Sequence, residues 1–213
     1  MKIGIIQASS QKEKNSMLEH CVKEAVKEQG FEVINFGIYG NAEETLSYIQ
    51  VALCISMLLE SKAVDFIVTG CSSGQGMMLA CNSLPGVLCG YTENSSDAYL
   101  FGRINNGNAI SYPLGLGFGW AAEINLLDTV KALFQEPMGT GYPAAEAERK
   151  QRDAAQLKAI NAACKRTLTE ILPVLDAEVV RGAIHYDVVS SYIMEYGTNS
   201  ELKNRIAQLK VRG

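Results

Sequence analysis

The chain has 213 residues, 47% hydrophobic and 20% charged, with a formal net charge of -4 at pH 7: room for one substantial α/β core with an appendage, and the composition of a soluble globular protein. The acidic balance argues against a nucleic-acid or anionic-membrane surface, the opening M-K-I-G-I-I is too short for a signal peptide, and no later run is apolar enough to span a bilayer. A cytoplasmic protein with a small-molecule partner is therefore expected, and six cysteines without CxxC spacing beside only two histidines leave no sign of a metal or cofactor.

Residues 2–7 read as a strand opening a βαβ unit. The polar loop 8–14 follows at its carboxyl edge, so Gln7, Ser9 and Ser10 are expected to face a ligand. Asn15 or Ser16 caps a helix running to Gln29, with Leu18, Cys21, Val22, Ala25 and Val26 on one stripe and Gly30 as its stop. Residues 31–36 form the second strand. A helix over 42–61 follows, with acids in its first turn. Its apolar residues surround most of the circumference, so it needs burial on more than one side, from a partner subunit or from the rest of the chain.

The centre of the chain is A-V-D-F-I-V-T-G-C-S-S-G-Q-G-M-M-L-A, residues 63–80. Residues 64–69 are a buried parallel strand that stops at Gly70, and Gly70, Gly74 and Gly76 allow a tight turn into a helix. The turn aims free N–H groups at whatever lies above the strand, and it holds Cys71, Ser72 and Ser73 where a helix start lowers a thiol pKa. Beyond it come a strand at 86–90, a helix at 95–104, the polar turn 105–108, a strand at 109–112, a glycine-rich bend at 113–119 and a helix at 120–134. Five strands alternating with helices predict a Rossmann-like, doubly wound parallel sheet, α/β in class, over residues 1–136. A linker at 137–143 leads into a helical extension, 144–213, with breaks near Pro173 and residues 197–198; its apolar stripe is too thin to fold alone, so it packs on the sheet domain or on a partner subunit.

G-C-S-S-G satisfies the nucleophile-elbow pattern, which makes Ser72 a hydrolase candidate; the elbow needs a downstream histidine, and the later one is His185, in the tail. A phosphatase loop lacks its arginine, since Met77 stands there, and a Walker loop lacks its lysine.

The motifs G-C-S-S-G-Q-G-M at 70–77, A-C-N at 80–82, P-G-V at 85–87 and N-N-G-N-A-I at 105–110 resemble those of the RpiB/LacA/LacB sugar-phosphate isomerases. That family (ribose-5-phosphate isomerase B and galactose-6-phosphate isomerase) has C-G-T-G-x-G-M in the loop and H-N-D-A-N-V-L at the end of the next helix. The resemblance covers roughly residues 1–135. It implies an aldose–ketose isomerase working through a cis-enediolate, with Cys71 as base and Ser73 in place of the threonine that aids ring opening. The amides of Gly74, Gln75 and Gly76 match the anion hole, with Ser72 and Ser9 alongside, and Asn105 and Asn108 match positions beside the substrate's hydroxyls. It also implies a homodimer or homotetramer with active sites shared between subunits. In this chain Ala8 and Ser9 replace the family's Asp-His, Ile104 its second histidine, and Leu88 an arginine; only Arg149 lies near its phosphate-binding arginines. A sugar phosphate, a free sugar and a sugar acid all fit, as does a sugar-binding module without turnover.

Overall fold

A computed structural model describes residues 1–212. Strand β1 (Lys2–Ile5), a 3₁₀ turn (Ser9–Lys14) and helix α1 (Asn15–Ala25) open the chain, followed by β2 (Glu32–Asn35), α2 (Tyr48–Glu60), β3 (Phe66–Cys71), α3 (Gln75–Ser83) and β4 (Cys89–Tyr91). Helix α4 (Ser95–Leu100) runs into one π-helical turn (Phe101–Asn105), and β5 (Ala109–Pro113) and α5 (Ala122–Phe134) complete the α/β part. All strands pair in parallel, in the order β2-β1-β3-β5-β4, which is the expected Rossmann-like sheet. The direction of winding reverses between β1 and β3, so the loops leaving their carboxyl ends part and open a crevice.

Side chains alternate across the sheet as the pleat requires. Ile3, Ile5, Phe66, Val68 and Ile110 face α1 and α5, whose stripe of Leu18, Cys21, Val22 and Ala25 is the one expected. Ile6, Ile67 and Ala109 face α2 and α3. The tail comprises α6 (Ala147–Ala163), α7 (Leu168–Ile171), α8 (Ala177–Ile184), α9 (Asp187–Tyr196) and α10 (Ser200–Arg212). Helices α7, α8 and α9 pack on the outer side of α2. Leu168, Val180, Ala183, Ile184, Val189, Ile193, Leu202 and Ile206 join α2 in a single core cluster, and the Tyr186 hydroxyl donates to the Phe36 carbonyl at 2.6 Å. This accounts for the all-round hydrophobicity of α2: one side meets the sheet, the other the tail. Helix α6 is different, since Ala154 is its one buried residue. No helix among the described residues is long and apolar enough to cross a membrane.

Several boundaries differ from the sequence reading. Helix α2 begins at Tyr48, not 42, because Ser47 and Gln50 form a capping box there, while Ser9 holds Leu46 upstream through Leu46 N to Ser9 Oγ, 2.7 Å. Strand β3 runs through Gly70 to Cys71 instead of stopping at 69: a Cβ on Gly70 would lie 2.4 Å from the Tyr112 carbonyl oxygen, so this glycine serves close strand packing and not a turn. The turn itself belongs to Gly74, at φ +74°. The long helices expected at 144–171 and 176–196 are each broken, the second at His185–Tyr186.

Candidate active site

Cys71 closes β3 and stands at the floor of a cavity of about 460 Å³ lined by Ala8, Ser10, Leu46, Ser47, Tyr48, Ser72, Ser73 and Gly76. It is 9% exposed: largely buried, with an opening onto that cavity. Three loops converge here. Ala8 N donates to Gly70 O at 3.0 Å, tying the β1 loop to β3; Leu114 N reaches Cys71 O at 2.9 Å, and Gly115 N and Leu116 N reach Ser72 O at 2.8 and 2.7 Å, tying in the loop after β5. The thiol is thus fixed from both neighbouring strands.

Gly74 is the N-cap of α3. Its positive φ, and the 2.8 Å and 3.0 Å that would separate a Cβ from the Tyr91 ring and from Pro113 N, admit only glycine. Ser111 Oγ holds its carbonyl at 2.6 Å. The first-turn amides, those of Gln75 and Gly76 among them, have no intrahelical acceptors, and no side chain caps them; Gly76 lies on the cavity lining. The Gln75 side chain is exposed and does not line the cavity.

Ser72 has two side-chain partners: Gln11 Nε2 donates to its Oγ at 2.8 Å, and Ser10 Oγ lies at 3.5 Å. Neither is a base. His185 ends α8 as an exposed residue and His20 sits on α1, so the nucleophile-elbow reading is overturned. Ser9 stands behind the cavity, engaged with Leu46.

The remaining expected ligands are elsewhere in the chain. Asn105 is exposed on a second cavity of about 750 Å³, with Asn82, Tyr91, Asp97 and Asn161. Asn108 accepts from Leu88 N at 2.8 Å and donates to Gly86 O at 2.7 Å. Each end of its amide thus makes a bond that braces the loop before β4 at the amino end of β5, a structural task that the sequence reading did not foresee. Arg149 is exposed on α6 and bonded to Glu146 and to Asp153 (3.0 Å). Arg103, in the π-helical turn, is turned inward at 1% exposure, donating to Leu133 O at 3.0 Å. Among the described residues, no arginine, lysine or histidine lines the Cys71 cavity.

Sequence reasoning missed Ser47, Tyr48, Gln11 and Lys14. The S-x-x-Q spacing of Ser47 and Gln50 was a legible capping signal. Nothing local announced Gln11 or Lys14, which meet Ser72 and Leu114 only through the parallel sheet.

Residues 8–156 match the family model described as Ribose/Galactose Isomerase. Among solved structures, a 4-deoxy-L-threo-5-hexosulose-uronate ketol-isomerase complexed with a tartrate is 40% identical, with TM-score 0.93, covering 98% of this chain and 99% of that one. A ribose-5-phosphate isomerase from Vibrio parahaemolyticus is 38% identical with the same TM-score and coverage. The type B ribose 5-phosphate isomerase of Trypanosoma cruzi, 22% identical with TM-score 0.62, covers 76% of this chain and 99% of its own, a likeness of fold. No match was found among curated proteins.

Proposed function

Because this chain belongs to the ribose/galactose isomerase family, and is thus a sugar isomerase interconverting aldose and ketose, we propose that Cys71 is its proton-transferring base and an open-chain sugar acid its substrate. The observation that carries this reading is the cavity: its one thiol sits beneath a lining that is rich in hydroxyls and free of cationic side chains.

The chemistry needs a base and a cradle for developing negative charge. The Cys71 thiolate takes the proton from C2 of the open-chain aldose, the C–H electron pair forms the C1=C2 bond, and negative charge moves to O1. Amides at the start of α3 face that oxygen; each such donor lowers the barrier by about 3 kcal/mol. Return of the proton to C1, with the O2 proton passing to O1, gives the ketose and restores the thiolate. Ser73, on the lining, serves as a hydrogen-bond partner of the carbonyl oxygen.

What the lining offers supports this substrate class. A phosphate monoester carries up to about twice the charge of a carboxylate, so it needs compensating cations more. A carboxylate and a row of hydroxyls are met by Ser10, Ser47, Ser72, Ser73 and Tyr48 together with uncapped helix amides. The full-length similarity to a hexosulose-uronate ketol-isomerase points the same way. Ribose 5-phosphate is the second reading, favoured by the equally long similarity to the Vibrio enzyme. In either case Asn105, and on the second reading Arg149, would serve the site of a second copy, making the dimer the active unit.

The test is proton exchange in deuterated water, followed by NMR with the hexosulose uronate and with ribose 5-phosphate. The wild type exchanges label into the uronate, and Cys71→Ala loses about 10²- to 10⁴-fold. Exchange that survives Cys71→Ala removes the base assignment; exchange into ribose 5-phosphate alone selects the second reading; binding without exchange selects a non-catalytic module. Mixing Cys71→Ala with Asn105→Ala restores activity only if one site draws on two chains.

A further inference from the structure

In the loop motif of the family, glycine follows the cysteine; here Ser72 does. Its hydroxyl lies at the cavity wall, and a relay of two side chains, Gln11 and Lys14, controls it. Lys14 Nζ donates to Gln11 Oε1 at 2.9 Å and to the Leu114 carbonyl, and lies 4.4 Å from the centre of the Phe118 ring. An ammonium group only donates, so the oxygen of the Gln11 amide must face Lys14 and its NH₂ must face Ser72. The amide nitrogen has no lone pair to offer, so across the 2.8 Å contact Ser72 Oγ can only accept. Its own hydrogen must therefore point elsewhere, and the other oxygen near it, Ser10 Oγ, is at 3.5 Å, the far limit of a hydrogen bond.

We propose that Lys14 and Gln11 are positioning residues that fix Ser72 as a hydrogen-bond donor into the Cys71 cavity, selecting a carbonyl or carboxylate oxygen of an acyclic sugar acid. This rests on the Cys71 cavity being the sugar site. Burial lowers the pKa of Lys14, which puts a cost on its charge that the Leu114 carbonyl, the Gln11 amide and the Phe118 ring offset. The polarity of the relay is thereby set by one partly buried ammonium, two steps from the ligand.

Gln11→Glu tests the idea by changing one atom. The carboxylate still accepts from Lys14 but has no N–H, so the Ser72 hydroxyl turns to donate to it and is lost to the ligand. The probe is tartrate, titrated calorimetrically into the full-length protein, with thermal melts beside it. Wild type binds tartrate. Gln11→Glu and Ser72→Ala each weaken binding about five- to ten-fold, the double variant is no worse than either, and Ser72→Thr, which keeps a hydroxyl, restores most of it. Gln11→Glu melts no lower than wild type, since a Glu–Lys pair replaces an amide contact. Wild-type affinity in Gln11→Glu, additive losses in the double variant, or no tartrate binding by wild type overturns the proposal. Exchange into the hexosulose uronate, read on the same samples, separates the two claims: no turnover with these binding effects intact defeats the isomerase substrate and leaves the Ser72 polarity standing.

Discussion

Gly70→Ala is the most direct probe of how the site is held. A methyl group there would lie 2.4 Å from the Tyr112 carbonyl oxygen and 2.9 and 3.0 Å from Leu114 Cδ1 and Cγ. Leu114 can rotate, but the carbonyl belongs to the strand paired opposite Gly70. It sits about 1 Å inside the ~3.3 Å at which carbon and carbonyl oxygen normally meet. Overpacking of this kind costs about 3 kcal/mol, against which alanine recovers under 1 kcal/mol of backbone entropy. A net loss of about 2 kcal/mol moves the urea midpoint down by roughly 1 M for a slope near 2 kcal/mol/M. The displaced seam also carries Cys71, so exchange activity falls up to about 100-fold, the scale of a 1 Å misplacement. Gly76→Ala is the control: its methyl meets the Tyr48 ring at an ordinary 3.6 Å, and stability holds or rises. Equal midpoints for wild type and Gly70→Ala would falsify the claim that β3 and β5 are in contact too close for a side chain.

Tyr186→Phe leaves the Phe36 carbonyl unpaired inside the core and costs about 1–3 kcal/mol, read as a melting point lower by roughly 3–10 °C; an unchanged melt would mean that the tail is not held there. Asn108→Ala lowers the melting point and leaves KM unaltered, because it frees Leu88 N and Gly86 O, not a ligand; a raised KM with an unchanged melt would return Asn108 to the site. Burial raises the Cys54 thiol to about 12 from 9.0. Between those pH values the folded chain keeps a proton that the unfolded chain has released, so stability falls as pH rises, by about 1.4 kcal/mol per unit from this group. Denaturant titrations from pH 8.5 to 10.5 therefore show a shallower decline for Cys54→Val than for wild type; Cys89 and Tyr91, also pushed up, keep some slope in both.

The sheet and its site loop were legible because they are written locally. The apolar run before Cys71, the glycines after it and the stripe on α1 each follow from a few neighbouring residues. What was hidden depends on partners far along the chain. Gly70 looked like a turn because its reason for being glycine is Tyr112, on another strand. The surplus apolar surface of α2 could not be assigned until Ile184, Val189 and Ile193 were found against it. Asn108 fitted a ligand motif by spacing, but spacing does not reveal that both ends of an amide are already engaged. Gln11 and Lys14 carried no motif at all; their role is set by the pairing of β1 with β3 in the sheet.

The bond from Tyr186 to Phe36 joins residues 150 positions apart. During synthesis, which proceeds at about 5–20 residues per second, α2 leaves the ribosome on the order of ten seconds before the helices that cover it exist. For that interval a greasy surface has no native partner, and nascent chains risk sticking to one another. Such late, distant closure also slows refolding, because the loop between the two residues must be ordered before their contact stabilises anything.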